Sequence, residues 1–222
     1  MSEVVACGPS VTLDISETLH VKSAVVESTK HLNVSGEIPN PLQCPIARLF
    51  NGCFITQKYW SDDAAYPITL PTREGHHLIA VRLDKDEEVC ISFKHLFAFS
   101  DQVNFQTVLD LSIASWAIDR AFQHLCKGPG LVVFECAGVP KVWDGVETES
   151  EHRIQVERMV LWPKDIQFVA DKVHTSRDIY LGMTRMFVRQ PSSGIPVILD
   201  VDDRDVTRQN LFSILKRLYR LW

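Results

Sequence analysis

The sequence predicts a mainly β protein, a sandwich built from two pseudo-repeats and followed by a C-terminal α-helix. Three observations carry this reading. Short runs rich in Val, Ile and Phe recur along the chain with turn residues between them. One such stretch is echoed further on. Only two segments show a helical period.

The strand-like runs are residues 11–15, 19–26, 53–59, 77–83, 88–93, 103–108, 131–136, 153–156, 159–162, 166–170, 179–188 and 195–201. Strands alternating with helices would need long helical patterns between most pairs, so this spacing favours antiparallel sheets. Between residues 36 and 75, prolines at 39, 41, 45, 67 and 71 indicate loops and edge strands. Asp84, Asp86, Glu87 and Glu88 read as a solvated hairpin turn.

The echo aligns Cys90–Phe105 with Arg153–Phe168. Ile91 matches Ile154, Phe93 matches Val156, Leu96 matches Met159, Phe99 matches Trp162, Val103 matches Ile166 and Phe105 matches Phe168. A polar triplet, residues 100–102 or 163–165, interrupts both copies at the same place. Each unit reads as strand, tight break, strand, turn, strand, and two copies can pack their apolar faces together. The repeat units lie near residues 78–107 and 131–170 of one domain spanning 1–205.

Of the two helical patterns, one lies within 109–125, where Leu111, Ile118, Phe122 and Leu125 share a face before Gly128-Pro129-Gly130. The other occupies residues 206–222, with a stripe of Leu211, Ile214, Leu215 and Leu218 beside Arg208, Lys216, Arg217 and Arg220. Its apolar face is expected to pack on the domain. Peripheral contact with an anionic membrane is the less favoured use of the same face.

Composition narrows the function. With 28 acidic against 23 basic side chains and a formal charge of −5, the chain would repel a phosphate backbone, so no nucleic-acid partner is expected. No apolar run is long enough to cross a bilayer, and no signal peptide or import sequence is recognisable, which predicts a cytoplasmic protein. In that reducing setting the six cysteines (7, 44, 53, 90, 126 and 136) are expected as free thiols.

Motifs for chemistry are sparse. There is no Cys-x-x-Cys and no His-Glu-x-x-His, and His124 and Cys126 would point apart on a helix, so no metal is expected. His76 and His77 open a strand and face opposite sides of its sheet. Asp200-Val-Asp-Asp-Arg-Asp205 lacks the glycine and distal glutamate of a calcium loop and reads as charge before a helix N-terminus. Ser213 and Lys216 have a Ser-x-x-Lys spacing without its companion motifs. No nucleotide or dinucleotide loop occurs, so no cofactor and no catalytic set is assigned.

A likeness to a family enters through Phe97-Ala-Phe-Ser-Asp-Gln-Val-Asn-Phe-Gln-Thr107, then Phe122 and Lys127-Gly-Pro-Gly-Leu-Val-Val-Phe134, then Ile154-Gln-Val-Glu-Arg-Met-Val-Leu-Trp162. These segments resemble the altered-inheritance-of-mitochondria family of the tryptophan RNA-binding attenuator-like superfamily. The resemblance spans residues 78 to 175. It implies a double-stranded β-helix or sandwich of two pseudo-repeats, assembly into a small ring or trimer, and no catalytic residues.

The expected function is a non-enzymatic binding or assembly module that self-associates or docks a protein partner. The alternative is a small-molecule enzyme with a pocket between the repeats, using His95, His124 or a cysteine. An enzyme needs perturbed titratable groups converging in a concavity, whereas a module exposes an apolar patch.

Overall fold

A computed structural model of the 222-residue chain describes residues 3–22, 32–61, 66–110, 122–143, 158–170, 186–189 and 195–201. These residues are mainly β, with several antiparallel sheets and one short helix. The strands are β1 (Glu3–Gly8), β2 (Ser10–Ile15), β3 (Leu19–Val21), β4 (Asn33–Glu37), β5 (Thr56–Trp60), β6 (Tyr66–Pro71), β7 (His77–Leu83), β8 (Glu88–Ile91) and β9 (Leu96–Ser100). There follow β10 (Asn104–Leu109), β11 (Phe122–Lys127), β12 (Gly130–Cys136), β13 (Lys141–Trp143), β14 (Met159–Pro163), β15 (Gln167–Ala170), β16 (Met186–Arg189) and β17 (Val197–Leu199). The helix, α1, is Pro45–Phe50.

Two large sheets dominate. One has the order β1-β7-β12-β9-β3-β5-β4 and the other β10-β11-β8-β14-β17-β13. Two-stranded ribbons pair β2 with β6 and β15 with β16. Each large sheet ends on edge strands, so among the described residues neither closes into a barrel.

The continuous apolar run Leu78-Ile79-Ala80-Val81 follows from covering both faces of the seven-stranded sheet. Ile79, Val81 and Leu83 enter a central core with Val132, Phe134 and Phe99 from their own sheet and with Val89, Ile91, Phe105, Val160 and Ile198 from the other. Leu78 and Ala80 turn instead to Val11, Leu13, Ile68 and Leu70 of the β2–β6 ribbon. A strand wetted on one side would alternate; these four residues do not, and Arg82 beyond them is the exposed one. The second sheet also has an outer core, of Cys90, Leu125, Trp143, Met159, Trp162 and Val197.

A register shift in β14 opposite β17, between Met159 and Leu161, explains an otherwise odd distribution. Val160 and Leu161 both reach the central core, while Met159 and Trp162 face outward into the third cluster. An extra residue in one strand breaks strict alternation in this way.

The acidic turn after β7 forms, with Asp84 C=O accepting from Glu87 N–H at 3.2 Å and Glu87 Oε2 accepting from Asp84 N–H at 3.0 Å, but it is not the expected hairpin: β7 and β8 do not pair, and the turn carries the chain from one large sheet to the other. Three other expectations need correction. The helical pattern of 109–125 is strand at both ends, because Phe122–Lys127 pairs with β10 on one side and with β8 on the other. Leu111 and Ile118 lie outside the described residues. Sheet pairing outweighs the weak helical period of that stretch.

The proline-rich region, read as loops and edges, contains α1. Pro45 stands at its first position, where the missing N–H costs nothing. Asp200 is not a solvated charge ahead of a helix: it is 5% exposed and accepts from Ala137 N–H at 3.0 Å. The C-terminal pattern of 206–222, the Ser213/Lys216 pair and residues 202–205 lie outside the described residues. No helix among the described residues is long and apolar enough to cross a membrane.

Candidate functional site

Two places stand out, one buried and polar, the other exposed and apolar. The buried one begins in the tight turn between β8 and β9. Ser92 N–H reaches across to Val160 C=O at 2.9 Å, and His95 N–H closes the turn on Ser92 C=O at 3.1 Å. The next strand over is β12, whose Glu135 N–H donates to His95 C=O at 2.7 Å. This interlock puts the His95 ring beside the end of β12, with Nδ1 3.0 Å from Glu135 C=O. Because a carbonyl can only accept, Nδ1 carries the hydrogen in that bond.

Cys136 is the last residue of β12 and Asp200 follows β17. Their ligand atoms and that of His95 all lie within 4.8 Å of one another, and all three residues are buried. His95 Nδ1 stands 3.7 Å from Asp200 Oδ2. The group draws His95 and Cys136 from one large sheet and Asp200 from the other.

Electrostatics in this cluster oppose a free thiolate. Burial pushes the Cys136 thiol far up, and the negative charge of Asp200 raises it further, with Lys94 acting weakly the other way. Nucleophilic cysteines sit in electropositive, partly exposed surroundings; Cys136 is 0% exposed and has a carboxylate beside it. A protonated, inaccessible sulfur cannot attack a diffusing substrate.

His76 and His77 do face opposite ways. His76 Nδ1 is 3.5 Å from Glu135 Oε1, whereas His77 is the direct cross-strand partner of Cys136 and shares its face. His124 belongs elsewhere. It lies on β11, its ring edge-on to Phe93 at 4.9 Å and its Nδ1 3.3 Å from Thr107 Oγ1. His95 and a cysteine thus come together, and His124 does not join them. Asp200 and Cys136 were not read as partners because strand pairing, not sequence spacing, unites them.

The exposed place is the segment around α1. Ile38, Leu42, Ile46, Leu49, Phe50 and Ile55 are all exposed, Leu42 to 91%. Ile46, Leu49 and Phe50 are three and four positions apart and so share one helix face. That face points outward because Arg48, on the opposite side, is the residue α1 buries.

Arg48 is 1% exposed and holds the segment from within. Its guanidinium donates to Pro39 C=O, to Asn40 C=O at 3.1 Å, and twice to Cys53 C=O at 3.2 and 3.1 Å. It also lies 5.7 Å from the Phe99 ring centre. Gln43 Oε1 accepts from Phe105 N–H at 3.1 Å, and Thr107 Oγ1 is 3.1 Å from Cys44 Sγ, fastening the same loop to β10.

No family model matches the chain, and none of the curated proteins compared with it matches. A solved crystal structure of a Streptococcus pyogenes protein is similar at 13% identity, covering 96% of this chain and 93% of that one with a TM-score of 0.46. At that level it supplies no argument about fold or activity.

Proposed function

We propose that the protein is a non-enzymatic binding and assembly module that pairs with a second copy of itself through the exposed face of α1 and its flanks. The observation that carries this reading is the set of six exposed apolar side chains between residues 38 and 55 on a segment fixed by the buried Arg48. An apolar surface on the order of several hundred Å² is of the size that often serves a contact. Because the loop is already held, docking it orders little new chain and costs correspondingly little entropy.

A two-fold contact would set the Ile46, Leu49 and Phe50 face of one copy against the same face of the other. Each of these side chains contributes roughly 1.5 to 3 kcal/mol when buried. Strand β4, an edge of its sheet among the described residues, lies next to this segment in sequence and would extend the contact.

The proposal includes the finer architecture. Residues 90–105 and 153–168 are equivalent units of a double-stranded β-helix, as the altered-inheritance-of-mitochondria resemblance implies. In its favour, Phe99 and Trp162 are both buried on interior strands of different sheets, although Phe99 packs in the central core and Trp162 in the outer core of the second sheet. Residues 153–157 lie outside the described residues. A crystal structure in which the two units failed to superpose would refute the duplication.

The enzymatic alternative has one observation in its favour, the convergence of His95, Cys136 and Asp200. The burial of that cluster and its raised thiol weigh against it. The test is sedimentation of the parent beside Leu49→Asp and Ile46→Asp, whose side chains are exposed and whose folding should be unaffected. A dimer in the parent and monomers in both variants are expected. Variants that sediment as the parent does would overturn the proposed face.

A further inference from the structure

We propose that His95, Cys136 and Asp200 bind one divalent transition ion of the Zn²⁺ type, which staples the two large sheets together. The donor set is one imidazole, one thiol and one carboxylate on three separate chain segments, brought within 4.8 Å. Zinc takes nitrogen, sulfur and oxygen ligands at about 2.0–2.3 Å, which places donors of a tetrahedral site roughly 3.3–3.8 Å apart. The closure still required is thus at most about 1–1.5 Å, within the reach of side-chain torsions.

The supports around the donors match those of metal sites. Glu135 C=O orients the His95 ring, and Ala137 N–H orients the Asp200 carboxylate. Both supports are backbone groups of or next to β12, the strand that also carries Cys136. His77 adds a further nitrogen on the face of Cys136, and its Nδ1 is buried with no hydrogen-bond partner among the described residues.

Cys136 and Asp200 stand side by side, so a dication there would meet a sulfur and a carboxylate oxygen together. Binding replaces the Cys136 S–H bond by a sulfur–metal bond and releases one proton to solvent, without oxidation or reduction. A thiolate donor selects Zn²⁺ and its neighbours over Mg²⁺ or Ca²⁺. The buried position fits a structural ion joining β9, β12 and the end of β17, with no substrate involved.

The test uses the full chain, stripped by a chelator and kept reduced, titrated with Co²⁺ and then Zn²⁺. Expected are one equivalent of Co²⁺, the visible bands of tetrahedral cobalt, a sulfur-to-cobalt charge-transfer band, and displacement of all of these by Zn²⁺. Cys136→Ser should lose the charge-transfer band, Asp200→Asn should bind Co²⁺ at least about tenfold more weakly, and Cys7→Ser, which alters an exposed thiol, should match the parent. Zn²⁺ should also raise the parent's melting temperature and a chelator should reverse the rise. No cobalt band in the parent, or an undiminished band in Cys136→Ser, would overturn the site. Should Cys136→Ser fail to fold, unchanged affinity in Asp200→Asn or an unmoved parent melting temperature overturns it instead.

Discussion

Replacing Arg48 by Ala should destabilise the protein by about 3–5 kcal/mol, for reasons that can be worked from its contacts. The guanidinium makes four hydrogen bonds to three backbone carbonyls, those of Pro39, Asn40 and Cys53. Hydrogen bonds from a charged donor contribute about 1.5–3 kcal/mol each, and a buried carbonyl left without a donor costs about 1–3 kcal/mol. Against this stands relief from desolvating a cation that no carboxylate accompanies among the described residues, since burial lowers the Arg48 pKa. The attraction to Phe99 adds about 1 kcal/mol to the loss. For a chain of this size each kcal/mol corresponds to about 2–4 °C, so a melting temperature roughly 6–20 °C lower is expected by circular dichroism. Arg48→Met keeps most of the stem and should lose nearly as much, because the missing donors dominate. Arg48→Lys should fall between, since one ammonium cannot span three carbonyls. Dimerisation should weaken alongside, as the apolar face loses its support. Melting within about 2 °C of the parent for both Arg48→Ala and Arg48→Met would refute the reasoning.

Gly130 has φ +142, and a Cβ there would clash with Ser100 Oγ and the Val103 side chain; Gly130→Ala should cost about 2–3 kcal/mol, read by urea unfolding, and a neutral result would contradict the tight β12 approach. Ser100 Oγ accepts from the buried Leu131 N–H at 3.0 Å, so Ser100→Ala should lose about 1–3 kcal/mol in the same assay. His20, 2% exposed and stacked on Phe99 at 5.3 Å, has its pKa lowered by burial despite the nearby charges of Glu37 and Asp101. The unfolded chain therefore binds the proton more readily: the contribution of neutral His20 is intact above the unfolded value of about 6.5 and is lost as pH falls below it toward the folded value. His20→Gln should flatten the fall in stability between pH 7 and 5, and an unchanged slope would remove His20 as its source.

The run at residues 77–83 and the acidic turn after it were legible in the sequence because local chemistry decides them: an apolar stretch of strand length, then solvated carboxylates. Phe99 and Trp162 were legible as core for the same reason, being large and flanked by apolar residues. The strand at residues 122–127 was not, since Phe122 and Leu125 also fit a helical face and only pairing with β8 and β10 decides the matter. The proline-dense region hid α1 because Pro45 reads as a breaker yet is harmless at a first helical position.

No motif singles out Arg48 in the sequence; its burial depends on three carbonyls that a loop brings round it. The cluster of His95, Cys136 and Asp200 left no spacing motif because the three lie at the ends of three different strands, His95 just before β9, Cys136 last in β12 and Asp200 just after β17. Only the sheet register of β12 with β7 and β9, and the position of β17 in the other sheet, bring the three together.

Self-association through the α1 face is tested most directly by native mass spectrometry of the reduced parent protein beside Leu49→Asp over a range of concentrations. The account predicts a parent dimer that populates with rising concentration and a variant that stays monomeric at the same concentrations. A parent that remains monomeric throughout, or a variant that dimerises equally well, would contradict it.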